Sequence, residues 1–493
     1  MRTCSVFFNL KGLSIMENTT KQGKIRRFTE NFSLLRGNLL ILAISWMIWF
    51  PALRLTDAYA QPYIKELGTS EFIIGAISSI ATVTLAIVRI LGGYVADRFG
   101  RKNILTIMSF AISSSYLIYA FAQSWQWILI AATLNSVFLL YQPAVLALRA
   151  DSVPPEKRGF GFALSEWLPG IISIPAPIIA TYLVVTNGTV GGMRIAYFAA
   201  FALGTAAAVV RLFLKETLPQ RKDKQKSTRK FTIEFSDDAY STEAIVYIML
   251  ILMSVVGAFF QNSLWLFPGG VFFLLLLIVA VGRAEGVHSD FVKEYSEAIR
   301  FIFKNMRNVA LLYILFNFAY LGASTFFSLY AIYFIQLGNE NWGIMYIVSY
   351  ISYLALLVPI GLLVDKLGRR NMLLSSITFL TLFSLVFALT PPNTPYTLLL
   401  LIITYSTIVS ANTAYVSTVG TLEADYIPRE KRGRVIAALA FVASLAGAIG
   451  QALAGFEYNV INQRFPFIVL TAFMALSFFV VLLKIKEPKT REQ

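Results

Sequence analysis

Runs of about twenty apolar residues recur along this chain, and no other feature restricts its fold so severely. A helix needs about 20 mostly apolar residues to cross the hydrocarbon of a bilayer, and its backbone must satisfy its own hydrogen bonds there. Fourteen such runs occur, at 39–63, 72–96, 104–122, 126–148, 160–185, 193–214, 243–260, 264–282, 308–336, 342–365, 372–390, 396–419, 435–457 and 464–484. With 57% of the 493 residues apolar and only 14% charged, the composition lies far outside that of a soluble domain. The expected fold class is an all-α polytopic membrane protein.

A net charge of +15 suggests a nucleic-acid partner at first sight, but the basic residues are not pooled on one face or tail. They fall between alternate apolar runs, which is the pattern of membrane topology. With the N-terminus in the cytoplasm, 37 of the 42 Lys and Arg lie on that side, leaving Lys65, Arg194 and Arg464 outside and Arg54 and Arg89 within spans. Both termini are therefore expected in the cytoplasm of a multi-pass protein of the cell membrane. The opening stretch MRTCSVFFNLKGLSIM reads as no cleavable signal, since Asn9 and Lys11 interrupt it, and Met16 is a second candidate start. Cys4 and His288 are the lone cysteine and histidine, so disulfides and Cys or His metal clusters are excluded, and with no P-loop ATP is not the expected energy source. No metal and no cofactor is expected.

Three segments occur twice. GGYVADRFGRKN at 92–103 returns as GLLVDKLGRRN at 361–371, ELGTSEF at 66–72 as QLGNENW at 336–342, and ADSVPPEKRG at 150–159 as ADYIPREKRG at 424–433. The matches keep their order, with offsets of 268, 270 and 274, so the chain reads as a duplicated six-helix unit in parallel orientation. The division expected is a tail at 1–36, six-helix bundles at 37–216 and 307–486, a basic linker at 217–242, an extra region at 243–306 and a tail at 487–493. The two bundles make a 12-span core, and the hairpin at 243–282 raises the total to 14. Either both of its runs cross or neither does, because one extra crossing would invert the second half. Beyond it, Phe291, Tyr295, Ala298, Ile299, Ile302, Phe303 and Met306 form one helical face opposite Lys293, Glu294, Glu297, Arg300 and Lys304. That pattern suits a helix lying in the interface or one packed on the cytoplasmic side of the bundle.

Gly93, Asp97, Arg98, Gly100, Arg101 and Lys102 resemble the loop signature of the major facilitator superfamily, and Gly361, Asp365, Gly368, Arg369 and Arg370 resemble its second-half copy. The second copy carries Lys366 where the stronger form has Arg. EWLPGIISIPAPII, with Pro169, Gly170, Pro175 and Pro177, lacks the fifth-helix signature of drug antiporters. The resemblance implies a secondary transporter that alternates between inward-open and outward-open states.

Two readings of the doubled loop follow. In the first, Asp97 and Asp365 are reversible latches that meet cations or a helix N-terminus, with Arg101, Lys102, Arg158, Arg369, Arg370 and Arg432 among their partners. Gly93 and Gly361 then allow close helix approach, and Gly100 and Gly368 the tight turn. In the second, the charges only fix topology. Asp151 and Asp425 precede prolines at helix ends and rank second among these gate candidates.

Substrate or proton chemistry is sought where the halves differ. Arg54 and Asp57, three apart on one helical face beyond Pro51, align with Ser324 and Phe327. They form either a proton- and anion-binding pair or a self-satisfied ion pair. Arg89 and Glu166 lie about 10 to 12 Å in from the cytoplasmic ends at 1.5 Å per residue, so they can pair, or Arg89 can snorkel to the interface. Asn135, Tyr141, Gln142, Asn317, Tyr320, Tyr330, Tyr405, Asn412 and Tyr415 stand on helices that, by the resemblance, line the cavity; each is either an interhelical or packing contact or part of a large aromatic, polar pocket. The function expected is proton-linked export of drug-like or amphiphilic compounds by a monomer in the bilayer, with the proton as coupling ion. The alternative is proton-coupled uptake of a sugar or organic acid. An enzyme is not expected, since no convergent set of acid, base or metal ligands is present.

Overall fold

The computed structural model describes residues 37–152, 167–217, 288–428, 432–485 and 487. The expected hairpin at 243–282, nearly all of the linker, Arg158 and Glu166 lie outside the described residues. At Gly93, Asp97, Arg98, Asp151 and Asp365 the description is of the backbone alone.

Among the described residues every regular element is helical. The first half contains α1 (Gly37–Asp57), a short α2 (Ala60–Glu66), α3 (Glu71–Phe99) and α4 (Arg101–Phe121). It continues with α5 (Trp125–Phe138), a 3-10 turn at Leu139–Tyr141, α6 (Gln142–Asp151) and α7 (Pro175–Arg211). The amphipathic α8 (His288–Asn305) leads into α9 (Arg307–Ser324), α10 (Gly338–Leu367), α11 (Arg369–Leu389), α12 (Thr397–Tyr426), α13 (Arg432–Phe456) and α14 (Phe465–Lys484). Among the described residues eleven helical segments are long and apolar enough to span a membrane. One of them, Trp167–Arg211, is two spans in a row, broken at Gly188, where φ is 74° and ψ 165°. Leu362, Leu483 and Phe213 stand out from the bundle with 69%, 70% and 71% of their surface exposed, and lipid is the only solvent that suits such a surface.

Successive spans reverse direction, so the molecule has two ends. Gly100 is the single residue between α3 and α4, and Gly368 the single residue between α10 and α11, with φ of 89° and 86°. A side chain at such a φ costs about 1 kcal/mol or more, which glycine avoids. These two turns mark one end, called here the motif end. Gly68, Gly188 and Gly338 mark the far end, again at positive φ.

Within the first half α1 and α4 pack on α7, and α3 on α5. Within the second, α9 packs on α13 and α14, and α12 on α10 and α11. The halves meet through α3 against α13 and α7 against α10. Close approach is carried by Gly75 of α3 and Gly455 of α13: a Cβ on Gly75 would stand 2.5 Å from the main-chain oxygen of Gln451 and 2.9 Å from the Cα of Gly455. The expectation that Gly361 serves close approach is corrected, because a Cβ there meets open space. The helix α8 packs on α13 through Ala298 and Ile302, both buried, while Phe303 on its flank is 66% exposed.

Candidate functional site

The last turn of α1 carries Arg54 and Asp57 to the seam between the halves. Three residues apart, they share a face, and Arg54 Nη1 donates to Asp57 Oδ2 at 3.1 Å. The guanidinium of Arg54 lies over the ring of Tyr350 at 4.8 Å, and the Tyr346 hydroxyl lies against it. Both tyrosines belong to α10, in the other half. They continue a stripe that starts at Trp342, and spacing by four residues sets all three on one helical face. Trp342 Nε1 donates to the carbonyl of Ala58 at 2.8 Å, and Tyr350 Oη to the carbonyl of Gly170 at 3.0 Å. The cation–π contact contributes about 0.5 to 2 kcal/mol and ties the first half's charge to the second half's aromatic wall.

Arg89 stands nearer the motif end. On α3, Gly75, Thr82 and Arg89 are spaced by sevens and share the face that meets the second half. Gly75 packs against Gly455, and Thr82 Oγ1 donates to Gln451 Oε1 at 2.7 Å, but the side chain of Arg89 is exposed. Arg89 Nε donates to Gln142 Oε1 at 2.7 Å, its sole hydrogen bond among the described residues. Behind this wall Arg211 is fully buried, donating from Nε to Ser45 Oγ at 3.2 Å and from Nη1 to Ser109 Oγ at 2.6 Å. Its guanidinium lies 5.6 Å from the ring of Tyr141 and 5.9 Å from that of Trp49, and its Nη2 is buried without a hydrogen-bond partner. Sequence reasoning had counted Arg211 among the cytoplasmic cations although it fell inside the apolar run 193–214. That position was the available signal.

The other candidates divide. Asn135 Nδ2 donates to Ser115 Oγ at 3.0 Å, Asn317 Nδ2 to the carbonyl of Tyr313 in its own helix at 2.9 Å, and Asn412 is half-buried. Tyr405 packs on Trp342 at 5.5 Å and so joins the seam. Tyr330 and Tyr415 do not: they are 0% and 2% exposed, with hydroxyls donated to the carbonyls of Ala388 and Leu312. Tyr141 is buried beside Arg211, and Tyr320 stacks on Phe316 at 5.1 Å.

At the motif end Arg369 Nε donates to Asp425 Oδ2 at 3.0 Å, and Arg432 Nη2 to the carbonyl of Ile427 at 3.3 Å. The helix N-termini after the two motif glycines are capped by carboxylates that sequence reasoning missed. Glu216 accepts from the Lys102 N–H at 3.1 Å, and Glu487 from the N–H groups of Arg369 and Arg370 at 2.9 and 2.8 Å. Free N–H groups and the helix dipole favour an anion there. The signal was a fourth repeat, Lys215-Glu216 against Lys486-Glu487, at an offset of 271. Arg101 also has a partner, and Arg370 Nη2 reaches the carbonyl of Leu482 at 3.0 Å.

Two helical halves closing on a polar, aromatic seam within a membrane define the class of two-bundle secondary transporters. The chain belongs to the Major Facilitator Superfamily, whose model matches residues 37–340 and 310–493. Among curated proteins it is similar to a Na(+), Li(+), K(+)/H(+) antiporter of Planococcus maritimus, 30% identical over 168 residues, 32% of this chain and 37% of that one. It is also similar to the multi-drug resistance efflux pump PmrA of Streptococcus pneumoniae, 25% identical over 200 residues, 38% of this chain and 49% of that one. The chain thus spans less than half the length of the curated relatives it matches. In fold it is similar to the human organic anion transporter MFSD10, with a TM-score of 0.57 and 16% identity over 90% of this chain and 98% of the other. A POT family transporter in complex with 5-aminolevulinic acid superposes with a TM-score of 0.65 and 13% identity, over 90% and 94%.

Proposed function

We propose that the protein is a secondary active transporter of small organic solutes, working as a monomer in the cell membrane with its motif end and both termini in the cytoplasm. It exchanges an amphiphilic compound for protons and exports it. The observation that carries this reading is the Arg54–Asp57 pair, held at the seam against Tyr346 and Tyr350 of the other half. A carboxylate whose single described cation partner also touches the second half can gain or lose a proton as the halves move, which is the requirement for coupling. The names of the two curated relatives, an antiporter and an efflux pump, support the same direction. Asp97 and Asp365 act in it as latches of the motif end, and Asn135, Gln142, Asn317 and Asn412 as polar contacts of the path.

The test is proton movement in proteoliposomes loaded with a pH dye, on addition of a panel of amphiphilic compounds. Antiport moves protons against the solute, and Asp57→Asn abolishes that flux while solute binding persists. Protons moving with the solute would instead establish the uptake symporter. An unaltered flux in the Asp57 variant would remove the pair from the mechanism.

A further inference from the structure

The ionisable groups described along the path are unequally matched. Asp57 is paired with Arg54, but Arg89 and Arg211 have no carboxylate partner among the described residues. Arg211 is sealed in the wall, where low dielectric leaves its charge poorly screened, and Tyr141, the ring beside it, is the chain neighbour of Gln142. Arg89, bonded to Gln142, projects from the face that meets the second half. Because Nε of Arg89 is committed to Gln142, both terminal nitrogens of the guanidinium remain to meet a planar anion end-on, a geometry that suits a carboxylate. The Gln142 amide, its oxygen already accepting from Arg89, keeps its N–H groups for the same ligand.

Depth sets this pair nearer the motif end than the aromatic stripe. Arg54 stands 17 residues along α1 from Gly37, about 25 Å from the motif end, and Arg89 ten residues from Phe99, about 15 Å from it. The two arginines therefore define layers about 10 Å apart along the bundle, the length of a ring with a short acyl arm. Resting on the transport reading above, we infer that the carried solute is an amphiphilic organic anion: its carboxylate binds Arg89 and Gln142, and its ring lies against Tyr346 and Tyr350. Among the described residues neither Arg89 nor Arg211 has a carboxylate beside it, an arrangement that favours organic anions over organic cations and separates this site from a general cavity for lipophilic drugs.

The experiment uses purified full-length protein in lipid nanodiscs and aromatic skeletons of one to three rings, each offered as the carboxylate, the primary amine and the methyl ester. Ligand-induced thermal stabilisation is measured for wild type, Arg89→Gln and Arg89→Lys, with the melting of each ligand-free protein as the control for folding. The carboxylates are expected to stabilise the wild type and the amines not. Arg89→Gln should weaken carboxylate binding about 10- to 100-fold, the loss of one charge-assisted contact, and Arg89→Lys should recover part of it. The inference is overturned if amines or esters bind as tightly as the acids, if no acid binds, or if Arg89→Gln binds acids like the wild type. Failure of proton exchange with carboxylate binding intact would count against the transport reading alone, whereas amines that bind and drive proton flux would leave that reading standing without this one.

Discussion

The two ends of the molecule are held in opposite ways. At the far end the contacts cross from one half to the other: Tyr59 Oη donates to the carbonyl of Asn339 at 2.7 Å, Trp342 Nε1 to that of Ala58, Asn339 Nδ2 to Thr189 Oγ1 at 3.1 Å, and Tyr333 Oη to Glu66 Oε1 at 2.7 Å. At the motif end the polar contacts of Arg369, Arg370 and Lys102 stay inside their own half, on Asp425, Glu487 and Glu216. The difference teaches which state this is. Among the described residues, hydrogen bonds and glycine packing spanning the seam close the far end, while the contacts of Arg369, Arg370 and Lys102 brace the motif end within each half. In alternating access those two patterns exchange places.

The largest break in that comparison comes from Gly75→Leu. The first added carbon would already meet main-chain atoms of Gln451 and Gly455, which no rotamer change relieves. Overpacking of this kind costs about 1 to 3 kcal/mol, enough to move a two-state balance by about 5- to 150-fold. Spin labels at Gln123 and Asn393, on the far ends of the two halves, should move apart, while labels at Asn103 and Asn371 at the motif end draw together. Unchanged distances would mean that the glycine contact does not govern closure. Next in size is Trp342→Phe, which strands the carbonyl of Ala58 and removes one crossing bond. Losing one such hydrogen bond costs about 1 kcal/mol, and only in the closed far end, so the same label pairs should shift the same way but less.

What could be read from the chain follows from how each feature is written in it. The doubled loop was legible because charge and glycine interrupt apolar runs twice at nearly the same offset, and the all-α polytopic fold followed from the runs themselves. Arg54 and Asp57 stood out because a charged pair three apart within an apolar run is conspicuous. Gly75 and Gly455 carry the seam yet look like any glycine in a membrane helix; their meaning lies in a partner about 380 residues away, which no local pattern encodes. Arg211 and Arg149, the latter 4% exposed, were counted with the loop cations because each stands at the end of a span. Burial there depends on Ser45, Ser109 and the tryptophans of α1, which only folding brings near. The stripe Trp342, Tyr346 and Tyr350 was visible at i, i+4 and i+8, but periodicity alone does not say which face of a membrane helix meets protein and which meets lipid.

The smallest effect tests the other side of the comparison. Glu487→Gln leaves an acceptor near the N–H groups of Arg369 and Arg370 but removes the charge that answers the α11 dipole. An exposed cap of this kind contributes about 0.3 to 1 kcal/mol, so the melting temperature should fall by about 1 to 3 °C. Because both partners belong to the second half, the distance between labels at Asn103 and Asn371 should not change. A change in that distance would show that Glu487 acts across the seam, and the motif-end clusters would then be clasps between the halves in this state as well. If melting falls and the distance holds, the acid braces the turn at Gly368 within its own half.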